Sequence, residues 1–167
     1  RRFNGPPDSA NGGYLSGRLA AYLTGGVPGA EPVAVTLRRP PPLALPMGVV
    51  GAADGEPGLR LELAGTLIAE AAPAELTGAP VQPISPERAA VAARYYGGLV
   101  EHPFPTCFVC GLARPERDGL ALRPGLLPDR ADTTAAVWVP DDTLADVDGR
   151  IGTEFVWAAL DCPGGWT

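Results

Sequence analysis

Apolar positions first recur at helical spacing in YLSGRLAAYL, residues 14–23, where Tyr14, Leu15, Leu19, Tyr22 and Leu23 share one side. Ser9 or Asn11 can cap the amino end of this helix, and Thr24-Gly25-Gly26 stops it. The period then changes to two. In residues 31–40, Val33, Val35 and Leu37 alternate with Ala34, Thr36 and Arg38, which predicts a strand. A second, proline-interrupted strand follows in PPPLALPMGVVGAADG, residues 40–55, and Asp54-Gly55 is a hairpin turn signal. GLRLELAGTLIAEAAP, residues 58–73, sets Leu59, Leu61 and Leu63 against Arg60, Glu62 and Ala64 and reads as the longest strand. The first eighty or so residues thus predict one helix followed by an antiparallel meander of about three strands.

Proline-rich TGAPVQPISP, residues 77–86, reads as a linker, and PERAAVAARYYGGLV, residues 86–100, as a short helix opened by Pro86 and closed by Gly97-Gly98. GLALRPG (119–125) and TTAAVWVP (133–140) read as strands joined by a polar loop. EFVWAALDCPGGWT, 154–167, starts as a helix and is stopped by Pro163-Gly164-Gly165. The two halves resemble each other at low resolution, each with a turn leading into a short amphipathic helix of small and aromatic residues. The expected division is a first half over 1–83, a linker with short helix and cysteine segment over 84–118, and the start of a second half over 119–167.

Composition narrows the classes. With 46% apolar and 19% charged residues, the chain is globular in composition. Its 22 glycines and 20 prolines imply many turns and interrupted strands. All 13 basic residues are arginine, a bias attributable to a GC-rich coding sequence. A net charge of −6 with scattered arginines argues against nucleic acid as a partner. No apolar run approaches a membrane span, and no amino-terminal segment has a secretory pattern. Three cysteines are an odd number for a disulfide framework, so a reducing cytoplasm is the expected compartment. A start at Arg1 and a stop at Thr167 inside a helix-forming region suggest part of a longer protein.

CFVCGLARPERDGLAL, residues 107–122, resembles the C-F-x-C-G-x-x-N-P-x-G-L-x-L signature of hotdog-fold thioesterases of the phenylacetate-pathway type. ANGGYLSGRLAAYL (10–23) is similar to the Gly-Gly opening of the central hotdog helix, and EFVWAALDCPGG (154–165) to the same helix in a second copy, which places the family's helix aspartate on Asp161. Two departures stand out: Asn11 occupies a position often held by histidine, and GRIGTEF before the second helix contains no Gly-Gly. The resemblance implies an α+β hotdog, an antiparallel sheet wrapped around a central helix, in tandem with a second copy incomplete in this chain. It further implies an acyl-CoA or related thioester as ligand, no cofactor, and pairing either as a homodimer or as an intramolecular hotdog pair.

Thioester hydrolysis needs a donor for the carbonyl oxygen and a base or nucleophile. Backbone N–H groups at a helix amino end suit the first role, and Gly12 and Gly13 would admit the thioester close to the backbone. Asn11 can orient the carbonyl, or it can simply cap the helix ahead of a glycine turn. Asp161 can serve as general base or nucleophile if buried, or be an ordinary acidic residue placed against the helix dipole. Glu154 is a weaker candidate, since carboxylates are common in a first helical turn. Tyr14 and Trp157 are candidates to line an acyl site, and with Tyr22 and Trp138 they are equally candidates for core or interface positions. The other readings of the chain are a hotdog that binds acyl-CoA or lipid without turnover, and a zinc-stabilised interaction module.

The C-x-x-C of Cys107 and Cys110, with His102 upstream, allows three chemistries. A zinc site would have to use His102, Cys107, Cys110 and Cys162, which just completes four ligands without a second paired motif. A redox pair would need a βαβ setting, whereas Gly111 and the flanking prolines make a turn. The reading taken here is structural, with soft buried side chains pinning an irregular segment against the sheet and no metal bound. His102 is then a surface or hydrogen-bonded residue.

Overall fold

The computed structural model of the chain describes residues 1–27, 30–130 and 132–166. Helix α1, Gly12–Thr24, begins where Asn11 Oδ1 accepts the Tyr14 N–H at 2.9 Å and ends at Gly25 with φ 68°. Strands β1 (Val33–Leu37), β2 (Gly48–Gly51), β3 (Leu59–Leu63) and β4 (Thr66–Pro73) form one antiparallel sheet in the order β1-β4-β3-β2.

The segment expected to be one long strand is a hairpin. Ala64 and Gly65 both take positive φ, 48° and 79°, and Leu63 pairs with Thr66. Two left-handed residues between paired strands make a turn whose twist matches the sheet. Alanine in place of the usual asparagine or aspartate hides this turn in the sequence. The meander therefore has four strands, and β4 lies at its centre paired with β1 and β3.

Leu19 of α1 packs on Leu61, Ile68, Ala69 and Ala71 of β3 and β4, with Leu15 and Leu23 at the margins. Burying this leucine stripe on the sheet fixes one face of α1, each fully buried leucine contributing about 2 kcal/mol. The chain then forms α2 (Pro86–Ala92), capped by Ser85, and continues as two single 3₁₀ turns rather than as one helix to residue 100. The later strands shrink to a two-residue pair, β5 (Gly125–Leu126) with β6 (Thr134–Ala135). Helix α3 spans Thr153–Asp161 and runs on into a 3₁₀ turn over Cys162–Trp166.

A second core gathers Tyr96, Cys107, Phe108, Val109, Cys110, Leu120, Leu122, Leu144 and Ala158. Phe3 and Tyr14 stack on each other with centroids 4.1 Å apart and meet Phe108 and Phe155 in this core. The cysteines belong here. They do not pin a segment against the four-stranded sheet, because α1 stands between the two cores with Tyr14 on one side and Leu19 on the other.

Helices α1 and α3 run antiparallel, since Gly13 faces Asp161 and Ala158 while Gly17 faces Glu154. A Cβ on Gly13 would lie 2.5 Å from the Trp157 carbonyl oxygen, and one on Gly17 would lie 2.6 Å from Glu154 Cα. The two helices approach this closely only because both positions lack side chains. Among the described residues no helix is long and apolar enough to cross a membrane. The protein is α+β, with a four-stranded antiparallel sheet and a few helices.

Arg114 ties the amino-terminal segment to the cysteine turn. Its guanidinium donates to Asn4 Oδ1 (2.9 Å), Thr106 O (2.6 Å), Arg2 O (2.7 Å) and Asp118 Oδ2 (2.7 Å), and stands 5.7 Å from the Phe108 ring centre. Its side chain is 9% exposed. Arg114→Leu removes these bonds and is expected to lower unfolding stability by about 2–3 kcal/mol. Urea unfolding measures it, and an unchanged midpoint contradicts the clamp.

Candidate functional site

The antiparallel seam brings the amino end of α1 to the carboxyl end of α3. Asp161 Oδ2 accepts the Gly13 N–H at 3.0 Å, so a carboxylate faces the positive end of another helix. This removes the apparent electrostatic defect of an aspartate at its own helix end. Burial pushes the Asp161 carboxyl above its usual range; the Gly13 N–H pulls it back down, and negative charge on Cys107 adds to the rise.

Asn11 is 2% exposed and uses both ends of its amide. Its oxygen caps α1, while Nδ2 lies 3.7 Å from Cys162 Sγ. Of the two roles open to Asn11, the cap is the one present. Gly12 sits beside the Asp161 carboxylate, with Oδ2 3.4 Å from where its Cβ would be.

Cys162 follows Asp161 directly and reaches the turn that holds Cys107 and Cys110. The Cys107 and Cys162 sulfurs are 3.7 Å apart, and all three sulfurs lie within 4.8 Å of one another. The turn is tight: Gly111 N–H donates to Cys107 O at 3.0 Å, and a Cβ on Gly111 would meet backbone of Pro105 and Cys107 within 2.6 Å. The thiols of Cys110 and Cys162 hold the Cys107 thiol well below its ordinary value, and Cys107 in turn pushes the Cys110 and Cys162 thiols up.

His102 does not join them. Its Nδ1 accepts the Phe104 N–H at 3.0 Å, so Nε2 carries the proton and donates to Cys110 O at 3.0 Å. Tyr96 O–H donates to the same carbonyl at 2.9 Å. With both nitrogens committed, His102 anchors the backbone of the turn and offers no lone pair to a metal.

Two cavities meet at Asp161. One, of about 460 Å³, is lined by Asn11, Gly12, His102, the three cysteines and Trp166. The other, of about 670 Å³, is largely apolar, with Val33, Val35 and Leu37 from β1 and Val156, Trp157 and Leu160 from α3. Trp157 therefore lies at a cavity wall, whereas Tyr14 is held in the aromatic cluster with Phe3 and Phe108. Glu154 is away from both cavities and pairs with Arg18.

The seam glycine Gly17 and the clamp Arg114 were not singled out in the sequence, although Gly13 and Gly17 stand at the four-residue spacing of close helix contacts. Comparison with protein-family models, with curated proteins and with solved structures finds no match.

The raised Asp161 carboxyl has a consequence for stability. Between its ordinary and its raised value the native chain holds more protons than the unfolded chain, so this group's contribution falls as pH rises through that window. Asp161→Asn keeps an oxygen for Gly13 N–H and removes the charge. Denaturant unfolding across acidic to neutral pH is expected to show wild type losing stability relative to Asp161→Asn as pH rises. A relative gain instead contradicts the assigned burial.

Proposed function

We propose that the chain is a hotdog-type thioester hydrolase acting on acyl-CoA or a related thioester, with α1 and α3 as the paired central helices. The observation that carries this reading is the 3.0 Å contact of the Asp161 carboxylate with the Gly13 N–H, at the junction of a polar and an apolar cavity. The sheet cupped over the Leu19 face of α1 supports the hotdog reading.

In this scheme the acyl chain lies against Val35, Trp157 and Leu160, and the thiol portion extends into the cavity near Asn11. The amino end of α1 polarises the carbonyl oxygen. Asp161 takes a proton from water, the water oxygen bonds to the carbonyl carbon, and the C–S bond breaks. The proton passes from Asp161 to the departing thiolate, leaving a carboxylic acid and a free thiol. The second reading, binding without turnover, is favoured by one contact: the Gly13 N–H is already engaged by Asp161 and must be released to reach a carbonyl.

The test is chromatographic measurement of free CoA from acyl-CoAs of graded chain length, a readout blind to the chain's own thiols. Hydrolysis that falls about 10²-fold or more in Asp161→Ala is expected. Thermal stabilisation by an acyl-CoA without hydrolysis supports the binder, and neither effect at any chain length overturns both.

A further inference from the structure

We propose that Cys107, Cys110 and Cys162 form a three-thiolate site for a thiophilic divalent ion, zinc by preference, whose fourth coordination position opens on to the 460 Å³ cavity. The inference rests on the sulfur geometry and is independent of the thioester reading.

The spacing of the sulfurs fits a metal better than a disulfide. A tetrahedral zinc with Zn–S bonds of about 2.3 Å separates its sulfurs by about 3.8 Å. Cys107 and Cys162 are 3.7 Å apart, and no pair in the trio exceeds 4.8 Å. Among the described residues this is the one group of three or more His, Cys, Asp or Glu side chains placed to share an ion.

The surroundings are those of a metal knuckle. The Cys107–Cys110 turn is closed by the Gly111 N–H on the Cys107 carbonyl. Asn11 Nδ2 approaches Cys162 Sγ, which supplies a donor from outside the ligand set to soften thiolate charge. His102 and Tyr96 hold the Cys110 carbonyl from two sides and so fix the turn. Because both His102 nitrogens are used and Asp161 is held by Gly13, the fourth ligand comes from the cavity as water or a small thiol. Ion binding displaces thiol protons to solvent as the sulfurs become ligands.

Elemental analysis of the chain purified without chelator is expected to give a single zinc per chain. After removal of zinc, Co²⁺ is expected to refill the site with thiolate-to-cobalt charge-transfer bands and tetrahedral visible absorption, and Zn²⁺ to raise the melting temperature of the apo chain. These readouts need no variant. Cys162→Ser, checked for folding by circular dichroism, is expected to weaken Co²⁺ binding roughly tenfold or more. Absence of stoichiometric metal together with no charge-transfer band overturns the proposal, as does an intact mass showing a native disulfide in the metal-free chain. Undiminished Co²⁺ binding by folded Cys162→Ser overturns the three-thiolate set.

Discussion

The seam between α1 and α3 sets everything else in the site. Gly13 and Gly17 present bare backbone to Glu154, Trp157, Ala158 and Asp161, so at these two positions α1 places no side chain between the helices. Gly17, inside the helix, costs about 1 kcal/mol against alanine, so it stands there against its own propensity. Close approach is what carries the Gly13 N–H to the Asp161 carboxylate, and it carries Cys162 to the cysteine turn at the same time.

Adjacent residues at one helix end thereby meet different partners. Asp161 meets a helix amino terminus; Cys162 meets two buried thiols. Both are partly desolvated, and both have partners that offset that cost: a dipole and an N–H for the carboxylate, shared hydrogen bonds for the sulfurs. Arg114 completes the frame by holding residues 2–4 over the turn, so that a segment with little regular structure is fixed by hydrogen bonds and the Phe3–Phe108 contact.

Much of this was legible in the residues. Helix α1, its Asn11 cap and its glycine stop follow from local rules, and β1 and β3 from their alternation. The hairpin at Ala64-Gly65 was not, because alanine gives no left-handed signal. The strands expected at 119–125 and 133–140 are mostly irregular, since Leu120 and Leu122 are spent on the cysteine core, where their N–H groups bond Phe108 and Val109 carbonyls instead of a sheet partner. The candidates Asn11, Gly12, Gly13 and Asp161 do converge. Spacing placed His102 beside the cysteines but could not tell that its nitrogens are taken by Phe104 and Cys110 backbone.

Gly17→Ala tests the seam most directly, because local and tertiary effects have opposite signs. Helix propensity alone makes the alanine chain more stable by about 1 kcal/mol. In the seam its Cβ would stand 2.6 Å from Glu154 Cα, a backbone atom that cannot turn aside. Urea unfolding of Gly17→Ala is expected to show a loss of about 1–3 kcal/mol. An alanine variant as stable as wild type, or more so, would contradict the close packing of α1 on α3.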